Sequence, residues 1–159
     1  MLQFRPLTSD DQDKLWHWLH VALWDPPPAP LRPIEVLQSD GVRIYAENWG
    51  KPTDVGVVAV VGEQDAGACW LRLLPSGQGM GYIDEVTPQL GIALEPGSQH
   101  RGYGRPLMLE ALRAAKDAGY RQVSLTVHPE NPAQFMYAKC GFREIERRRS
   151  YLLMVAGLA

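Results

Sequence analysis

A short stretch between Gln99 and Arg105 carries the residue types that bind phosphate groups. It follows Gln89–Leu94, which has the composition of a strand, and it precedes Pro106, which is typical of the first turn of a helix. Such a turn collects unpaired backbone N–H groups and the positive end of the helix dipole. Gly102 and Gly104 permit an anion to approach the backbone closely. The pattern predicts a phosphate site, with an ordinary tight turn as the alternative.

Two familiar phosphate-binding motifs do not match this stretch. A Walker A loop requires a Lys-Ser or Lys-Thr pair after its last glycine, and none follows Gly104. A dinucleotide-binding fingerprint requires a third glycine, whereas Pro106-Leu107 stands after the second one. The sequence therefore predicts neither a P-loop nor a dinucleotide-binding unit.

A third pattern does match. The run Gln99-His100-Arg101-Gly102-Tyr103-Gly104 agrees at every specified position with Gln/Arg-x-x-Gly-x-Gly/Ala, the pyrophosphate loop of the GNAT superfamily of N-acetyltransferases. Downstream, Asn131-Pro132-Ala133, Tyr137 and Gly141-Phe142 resemble the Asn…Tyr…Gly-Phe region of the same family. The order of predicted helices and strands also resembles the GNAT fold over nearly the whole chain.

The resemblance implies that acetyl-coenzyme A is the acetyl donor. In this family two central parallel strands, here Gln89–Leu94 and Gln122–Val127, splay apart and hold the pantetheine arm. Ile92 and Leu94 are then expected to pair with that arm through backbone groups, while the loop holds the pyrophosphate. The full set of cofactor-binding residues that we predict is Ile92, Leu94, Gln99, Arg101, Gly102, Tyr103, Gly104, Arg105, Asn131 and Tyr137.

Several of these residues also have a purely structural interpretation. Asn131 precedes a proline and is well explained as a helix cap, a role that is compatible with cofactor contact. Tyr137 matches a family position near the cofactor sulfur, but it is also typical of a core tyrosine on an amphipathic helix. Arg101 and Arg105 either bind phosphate or face solvent.

Acetyl transfer to an amine requires a neutral nucleophile, whereas a free alkyl ammonium group has a pKa of about 10.4. The enzyme must remove a proton, directly or through water, or select the small neutral fraction. Many relatives carry a glutamate on the strand before the loop, but Gln89 begins that strand here and cannot act as a base. We therefore predict that Asp84 or Glu85 acts as the base through water. Tyr137 is predicted to protonate the departing thiolate.

Two other functions are open at this point. A non-catalytic sensor of acyl-coenzyme A, or a regulatory module, is favoured by Gln89 and disfavoured by Tyr137. An acyltransferase with a longer acyl donor would use the same splay. The first two helices form one wall of the acceptor site in GNAT enzymes, and here they carry Trp16, Trp18, Trp24, Tyr45 and Trp49, with prolines at positions 26–33. The sequence does not distinguish a small-molecule amine from a peptide amine.

Hydrophobic spacing predicts the elements that position these residues. Helices are expected after Ser9, from Asp40 to Trp49, from Pro106 to Gly119 and from Asn131 to Gly141. Strands are expected at Leu2–Leu7, Val55–Val61, Ala68–Leu74, Gln89–Leu94, Gln122–Val127, Phe142–Glu146 and Ser150–Ala156, with a turn at Gln64–Gly67. With the resemblance, these elements predict a mixed α/β fold of the GNAT type. Its sheet is mostly antiparallel, with six to seven strands, one splayed parallel pair and about four flanking helices.

Composition predicts one soluble domain that spans residues 1–159. The chain is 45% hydrophobic, and its 16 basic and 18 acidic side chains give a net charge of -2, without the basic excess of a nucleic-acid-binding protein. No apolar run reaches the roughly 18 residues of a membrane span, and the first residues do not resemble a signal peptide. Cys69 and Cys140 form neither a CxxC motif nor a zinc cluster. We therefore expect a cytoplasmic protein with no metal, nucleic-acid or membrane partner; a homodimer is left open.

Overall fold

The computed structural model describes residues 1–158, which form one seven-stranded sheet with helices on both faces. The strands are β1 (Leu2–Pro6), β2 (Val55–Val61), β3 (Gln64–Arg72), β4 (Gln89–Leu94), β5 (Gln122–Val127), β6 (Phe142–Arg148) and β7 (Tyr151–Gly157). The α-helices are α1 (Gln12–Ala22), α2 (Asp40–Arg43), α3 (Gly104–Asp117) and α4 (Ala133–Lys139). The spatial order is β1-β2-β3-β4-β5-β7-β6, and β4 with β5 is the parallel pair. The predicted fold class is confirmed.

The sheet separates two hydrophobic cores, because successive side chains of a strand point to opposite faces. On one face, α3 packs through residues that include Met108 and Ala111, which belong to the apolar face predicted for it. On the other face, α1 packs through residues that include Leu15. Strand β4 contributes to both cores, with Leu90 on the α3 side and Ala93 on the α1 side. The central strands therefore present a different wall on each face.

The predicted bounds of β2, β4 and β5 are confirmed. Each of these strands is a short apolar run bordered by turn residues, which is a strong local signal. The longest helix, α3, begins at Gly104, two residues before the predicted start. None of the helices in residues 1–158 combines the length and the apolar character needed to cross a membrane.

The predicted helix from Asp40 to Trp49 is wrong in its extent, since α2 ends at Arg43 and turns follow. The cause is Arg72 of β3, whose buried guanidinium forms an ion pair with Asp54 at 2.8 Å. The same guanidinium also donates to three backbone carbonyls of this segment, those of Ile44, Glu47 and Asn48. These carbonyls turn toward the arginine instead of accepting helical hydrogen bonds. The distant ion pair thus overrides the local helical spacing.

The start of the first helix also differs from the prediction, because α1 begins at Gln12 and not directly after Ser9. A 3-10 turn at Ser9–Asp11 precedes the helix, and Thr8 caps this turn, whereas the predicted cap is Ser9. The carboxylate of Asp11 accepts the backbone N–H of Thr8 and is held by the guanidinium of Arg5 at 2.9 Å. The ion pair from β1 therefore selects the position of the cap.

The predicted turn at Gln64–Gly67 is wrong, since these residues are part of β3. The hairpin instead turns at Gly62 and Glu63, where Gly62 has a φ of +65°. A two-residue hairpin turn favours residues with positive φ, and glycine adopts that conformation without strain. The longer β3 allows Gly67 to pair with Leu94 at the far end of β4.

Candidate functional site

Strands β4 and β5 are paired at one point within residues 1–158, and the gap beyond it forms a cavity. Gln89 lies opposite Ser124, whose backbone N–H donates to the carbonyl of Pro88 over 3.1 Å. Toward their carboxyl ends the two strands separate. The gap belongs to a cavity of about 250 Å³, lined by residues from both strands that include Ile92 and Thr126. The splayed parallel pair implied by the family resemblance is therefore present.

The backbone of β4 directs hydrogen-bonding groups into this gap. Backbone groups of successive strand residues point to opposite sides of the strand. Glu95, just after β4, donates its N–H to the carbonyl of Ala66 in β3, so the odd-numbered residues of β4 face β3. Ile92 and Leu94 therefore direct their backbone groups toward β5, across the gap. The carbonyl of Leu94 accepts a hydrogen bond from Gln99 Nε2 at 3.0 Å. This bond occupies the carbonyl of Leu94 and not the N–H of Leu94.

The predicted phosphate loop ends at the first residues of α3. Gly104 and Arg105 begin the helix, so their N–H groups have no acceptor within it. Gly102 has a φ of +83°, a left-handed conformation that favours glycine. The Arg101 side chain folds back, and its Nε donates to the carbonyl of Gly97 over 3.0 Å. The loop thus has the free amides and the positive helix end that an anion site requires.

Helix α4 and the residues just before it bring Tyr137 and Asn131 to the wall of the same cavity. Asn131 Oδ1 accepts the backbone N–H of Ala133 at 2.9 Å, so the side chain caps the start of the helix. Its Nδ2 group donates to no protein atom within the described residues. Capping therefore leaves the Asn131 amide nitrogen available to a ligand.

The Tyr137 side chain is buried, with an exposed fraction of 8%, and its ring centroid lies 6.2 Å from that of Phe142. Burial raises the pKa of the Tyr137 hydroxyl, because the phenolate would lose its hydration. The hydroxyl is therefore protonated at neutral pH, and it forms no hydrogen bond to another part of residues 1–158. A protonated phenol at the cavity wall can donate a proton to an atom inside the cavity.

Asp84 and Glu85, predicted from the sequence to assist deprotonation, do not line this cavity. Asp84 lines a separate depression near the amino ends of β4 and β5, and its Oδ1 accepts the backbone N–H of Val86 at 2.9 Å. Glu85 is exposed. Within residues 1–158, no aspartate or glutamate lines the splay cavity. The structure thus brings Tyr137 to the cavity without either predicted base.

Gln89 closes the narrow end of the splay by bonding to three partners. Its Oε1 accepts hydrogen bonds from the hydroxyl of Tyr45 at 2.7 Å and from the backbone N–H of Gly81 at 3.1 Å. Its Nε2 donates to the carbonyl of Gln78 at 2.9 Å. An amide can accept and donate at once, whereas an ionised glutamate only accepts. The glutamine therefore suits this position as a brace between the sheet and the loop before β4.

Trp70 of β3 lies beside the cavity and opposite Gly91 of β4. The indole is fully buried, and its Nε1 is a donor that has no partner within residues 1–158. Sequence analysis missed this residue because the signal is the register between two strands that are separated by a long connection. Neither residue alone indicates the contact.

Arg32 adds a positive charge to the cavity wall. Its Nε and Nη2 atoms donate to the two carboxylate oxygens of Asp25 at 2.8 and 2.9 Å. These hydrogen bonds hold the pKa of Asp25 below its usual value. Nη2 also lies 3.4 Å from the hydroxyl of Tyr151. The guanidinium is thus fixed through one edge, and Nη1 donates to no protein atom of the described chain.

His128 lies next to this arginine, between two aromatic rings. Its ring centroid is 5.4 Å from that of Trp24 and 5.6 Å from that of Tyr151. His128 Nδ1 accepts the backbone N–H of Glu130 at 3.0 Å, which places the proton of the neutral imidazole on Nε2. His128 therefore offers a donor to the cavity, which it also lines. No sequence signal indicated that it lies close to Arg32.

The aromatic residues predicted to shape the acceptor site divide into two groups. Trp24 and Tyr45 line the cavity. Trp18 and Trp49 are buried in the core on the α1 side, and Trp16 packs against that core. Aromatic residues at helical spacing therefore contribute partly to the cavity and partly to stability.

Comparison with known proteins agrees with this architecture. A family model described as the acetyltransferase (GNAT) family matches residues 16–142. The ribosomal protein bS18-alanine N-acetyltransferase of Haemophilus influenzae is 32% identical over 87 residues, which are 51% of this chain and 59% of that protein. A mycothiol acetyltransferase of a Nocardioides species is 34% identical over 104 residues, 61% of this chain and 35% of that protein. The chain thus spans between about a third and three-fifths of these two relatives.

Solved structures match over almost the whole chain. The GNAT domain of S. lividans PAT has a TM-score of 0.70 at 16% identity, covering 99% of this chain and 90% of that one. The PaiA N-acetyltransferase of Thermoplasma acidophilum, in complex with coenzyme A, has a TM-score of 0.66 at 19% identity and covers 99% of both chains. A spermidine N-acetyltransferase of Vibrio cholerae, in complex with CoA and spermine, has a TM-score of 0.65 at 20% identity, covering 99% of this chain and 95% of that one. At these identities the likeness establishes the shared fold.

Proposed function

Since the chain belongs to the acetyltransferase (GNAT) family, we propose that it moves an acetyl group from acetyl-coenzyme A to a primary amine by direct attack. The observation that carries this proposal is the splay between β4 and β5, where unpaired backbone groups and the hydroxyl of Tyr137 meet one cavity. A cavity that holds strand backbone groups and a buried proton donor suits the thioester end of a long carrier, and the phosphate loop follows β4, one of the two strands of the splay.

The residues present fit the pyrophosphate and the pantetheine arm of coenzyme A. The amides at the start of α3, Gly104 and Arg105, would hold the pyrophosphate, with Gln99, Arg101, Gly102 and Tyr103 completing the loop. The backbone groups of Ile92 and Leu94 would pair with the pantetheine amides. When bound, acetyl-coenzyme A supplies the acetyl thioester that an amine attacks.

Tyr137 would donate its proton to the leaving sulfur. Its raised pKa keeps the hydroxyl protonated, and a thiol with a pKa of about 8.5 is already a fair leaving group. The contribution of the phenol to the rate is therefore at or below the lower end of the 10²- to 10⁴-fold that is typical of a general acid.

The acceptor amine would enter the cavity as the neutral base. The lining has no carboxylate within residues 1–158 that would hold an ammonium group or take its proton directly. For an amine with a pKa of about 10.4, the neutral fraction at pH 7 is small and grows about tenfold with each pH unit. We therefore expect kcat/KM to rise with pH in the neutral range.

The named relatives support an amine as the acceptor. One acts on an alanine of a ribosomal protein, another is named for mycothiol, and a structural neighbour is bound to spermine. Both small-molecule and peptide amines are therefore reasonable acceptors.

Thiol release from acetyl-coenzyme A tests the proposal directly. The purified protein is incubated with a panel of amines, and free thiol and acetylated amine are quantified together. Turnover that depends on both substrates, with equal amounts of the two products, supports the proposal. Longer acyl donors in the same panel report the acyl-chain preference.

A non-catalytic sensor of acyl-coenzyme A is the second candidate, and the absence of a carboxylate from the described lining favours it. The sensor would bind acetyl-coenzyme A and release no thiol with any amine. Calorimetric titration with acetyl-coenzyme A, run beside the turnover panel, separates the two functions.

A further inference from the structure

The charges around the splay cavity do not suit a polyamine. Arg32 is the one formally charged side chain among the described residues that line it. An acceptor with several ammonium groups needs carboxylates to replace its lost hydration, and the lining offers none. Asp25 balances the charge of Arg32 through one edge of the guanidinium, and the other edge stays free to donate to a ligand that carries a negative group.

Two hydrogen-bond donors on this wall, from Arg32 and His128, have Tyr151 as a common neighbour and make no hydrogen bond within residues 1–158. Arg32 Nη2 lies 3.4 Å from the hydroxyl of Tyr151, and the ring centroid of His128 lies 5.6 Å from that of the same tyrosine. Asp25 occupies the Nε and Nη2 edge of the guanidinium, which leaves Nη1 for a ligand. His128 presents Nε2–H because its Nδ1 accepts from Glu130. A carboxylate can accept from both donors, and hydrogen bonds to charged groups are the stronger kind.

The rest of the wall on the α1 side is apolar and aromatic. It is formed by side chains that include Leu19, Leu23, Trp24, Val42 and Tyr45. The cavity volume of about 250 Å³ is close to the lower end for small-molecule pockets. Because the same cavity includes the splay assigned to the pantetheine arm, the space on the α1 side suits a compact acceptor with an apolar body.

We infer that the amine acceptor is a free α-amino acid with a large apolar or aromatic side chain. Its carboxylate contacts Arg32 and His128, its side chain packs on the apolar wall, and its α-amine faces the splay between β4 and β5. The inference rests on the proposed function, because it names the acceptor of that site. A free carboxylate matches the cationic donor better than the neutral carbonyl of a peptide does.

The first test compares acceptors that differ in one group. L-Phenylalanine, its amide, 2-phenylethylamine, a peptide with N-terminal phenylalanine, and spermidine are assayed with acetyl-coenzyme A at one pH. We expect kcat/KM for L-phenylalanine to exceed that for 2-phenylethylamine at least tenfold, because the latter lacks the carboxylate. The amide and the peptide should fall between these two, and spermidine should be the poorest acceptor.

The second test changes the donors. Arg32→Met should raise KM for L-phenylalanine about tenfold or more, as expected for the loss of a charged hydrogen bond. The rise in KM for 2-phenylethylamine should be much smaller, so the variant largely loses the preference for L-phenylalanine over 2-phenylethylamine. His128→Phe keeps a ring between Trp24 and Tyr151 and should raise KM for L-phenylalanine less than Arg32→Met does. Arg43→Met is the matched control, since Arg43 pairs with Asp40 and Glu47, does not itself line the cavity and should keep the wild-type KM.

The outcomes separate the inference from the proposed function. Equal or better turnover of 2-phenylethylamine, spermidine or the peptide overturns the inference while the acetyltransferase activity stands. An unchanged preference for L-phenylalanine over 2-phenylethylamine in folded Arg32→Met overturns the inference as well. The ratio of the kcat/KM values for two substrates does not depend on the fraction of the protein that is folded. A third outcome is that L-phenylalanine binds to the wild-type protein loaded with coenzyme A in calorimetry, that Arg32→Met loses this binding, and that the wild type shows no turnover. This outcome supports the amino-acid site and overturns the proposed activity. If L-phenylalanine does not bind and no acceptor is turned over, both the inference and the proposed function are overturned.

Discussion

The indole of Trp70 occupies the space in which a side chain of residue 91 would stand. A Cβ placed on Gly91 would lie 2.7 Å from Cζ2 of that ring, closer than real Cβ contacts. The two residues face each other across β3 and β4, and both line the splay cavity. The shape of the cavity beside β4 therefore depends on the absence of a side chain at Gly91.

Gly91→Ala tests this relationship. The added methyl group must displace a fully buried indole or shift β4, and overpacking of this kind costs about 1–3 kcal/mol. We expect the free energy of unfolding to fall by that amount in denaturant titration, with a loss of acceptor turnover. Gly157→Ala is the control, because it is also in a strand and its Cβ would meet no atom within 4 Å. Equal stabilities of the two variants would contradict the packing argument.

Gly104→Val tests the placement of the pyrophosphate. A Cβ at residue 104 would lie 3.2 Å from Cε of Met136 and 3.8 Å from Cδ1 of Leu94, so a branched side chain crowds the start of α3. We expect the affinity for coenzyme A to fall about tenfold, or about 1.4 kcal/mol, in calorimetric titration. Gly97→Val is the control, since its Cβ would meet nothing within 4 Å. Wild-type affinity in a folded Gly104→Val protein would remove the loop from the cofactor site.

Gln89→Glu tests whether this residue is a brace. A carboxylate loses the donor to the carbonyl of Gln78 and places a charge on a side chain that is buried in β4, which is costly without a cationic partner. We expect lower stability and no gain in kcat, although glutamate supplies a base. Gln89→Met, which removes all three hydrogen bonds, should be destabilised further. A rise in kcat with unchanged stability would show that the position tolerates a catalytic carboxylate.

Asp84→Asn and Glu85→Gln decide whether either acid assists deprotonation. The sequence-based hypothesis expects their loss to slow turnover most at low pH, where unaided deprotonation is rarest. Both side chains lie outside the lining of the cavity, so we expect the pH–rate profiles to match that of the wild type. A selective loss at low pH in either variant would instead support a water-mediated relay from that residue.

Features encoded in one continuous segment were predictable from the sequence. The bounds of β4 and β5, the glycine loop before α3 and the cap at Asn131 each depend on neighbours in the chain. Their signals are turn residues, apolar runs and a motif that resembles a known family.

Features that depend on distant partners were not predictable. The short α2 results from Arg72, which lies on β3 and draws the carbonyls of Ile44 and Glu47 out of helical geometry. Arg32 lies in the connection after α1 and His128 lies just after β5, so their meeting at one cavity depends on tertiary packing. Hydrophobic periodicity contains no information about such contacts.

Tyr137→Phe tests the proton donor of the proposed reaction. The substitution keeps the buried ring and its packing near Phe142, and it removes the hydroxyl alone. We expect kcat to fall by up to about 100-fold, since the leaving thiol needs only modest assistance, while the affinity for coenzyme A is nearly unchanged. The loss should shrink with an acyl donor that has a better leaving thiol.

The pH dependence of this loss has a defined sign. Burial raises the pKa of the Tyr137 hydroxyl above its ordinary value of about 10, so the phenol is protonated throughout the range from pH 7 to 9. The ratio of wild-type to Tyr137→Phe kcat should therefore be constant across that range, whereas a phenol with a lowered pKa would lose its advantage as the pH rises. Single-turnover rates at several pH values give this ratio for the chemical step. A variant with full kcat would leave Tyr137 a packing role alone, and a ratio that falls toward one by pH 9 would contradict the protonated state.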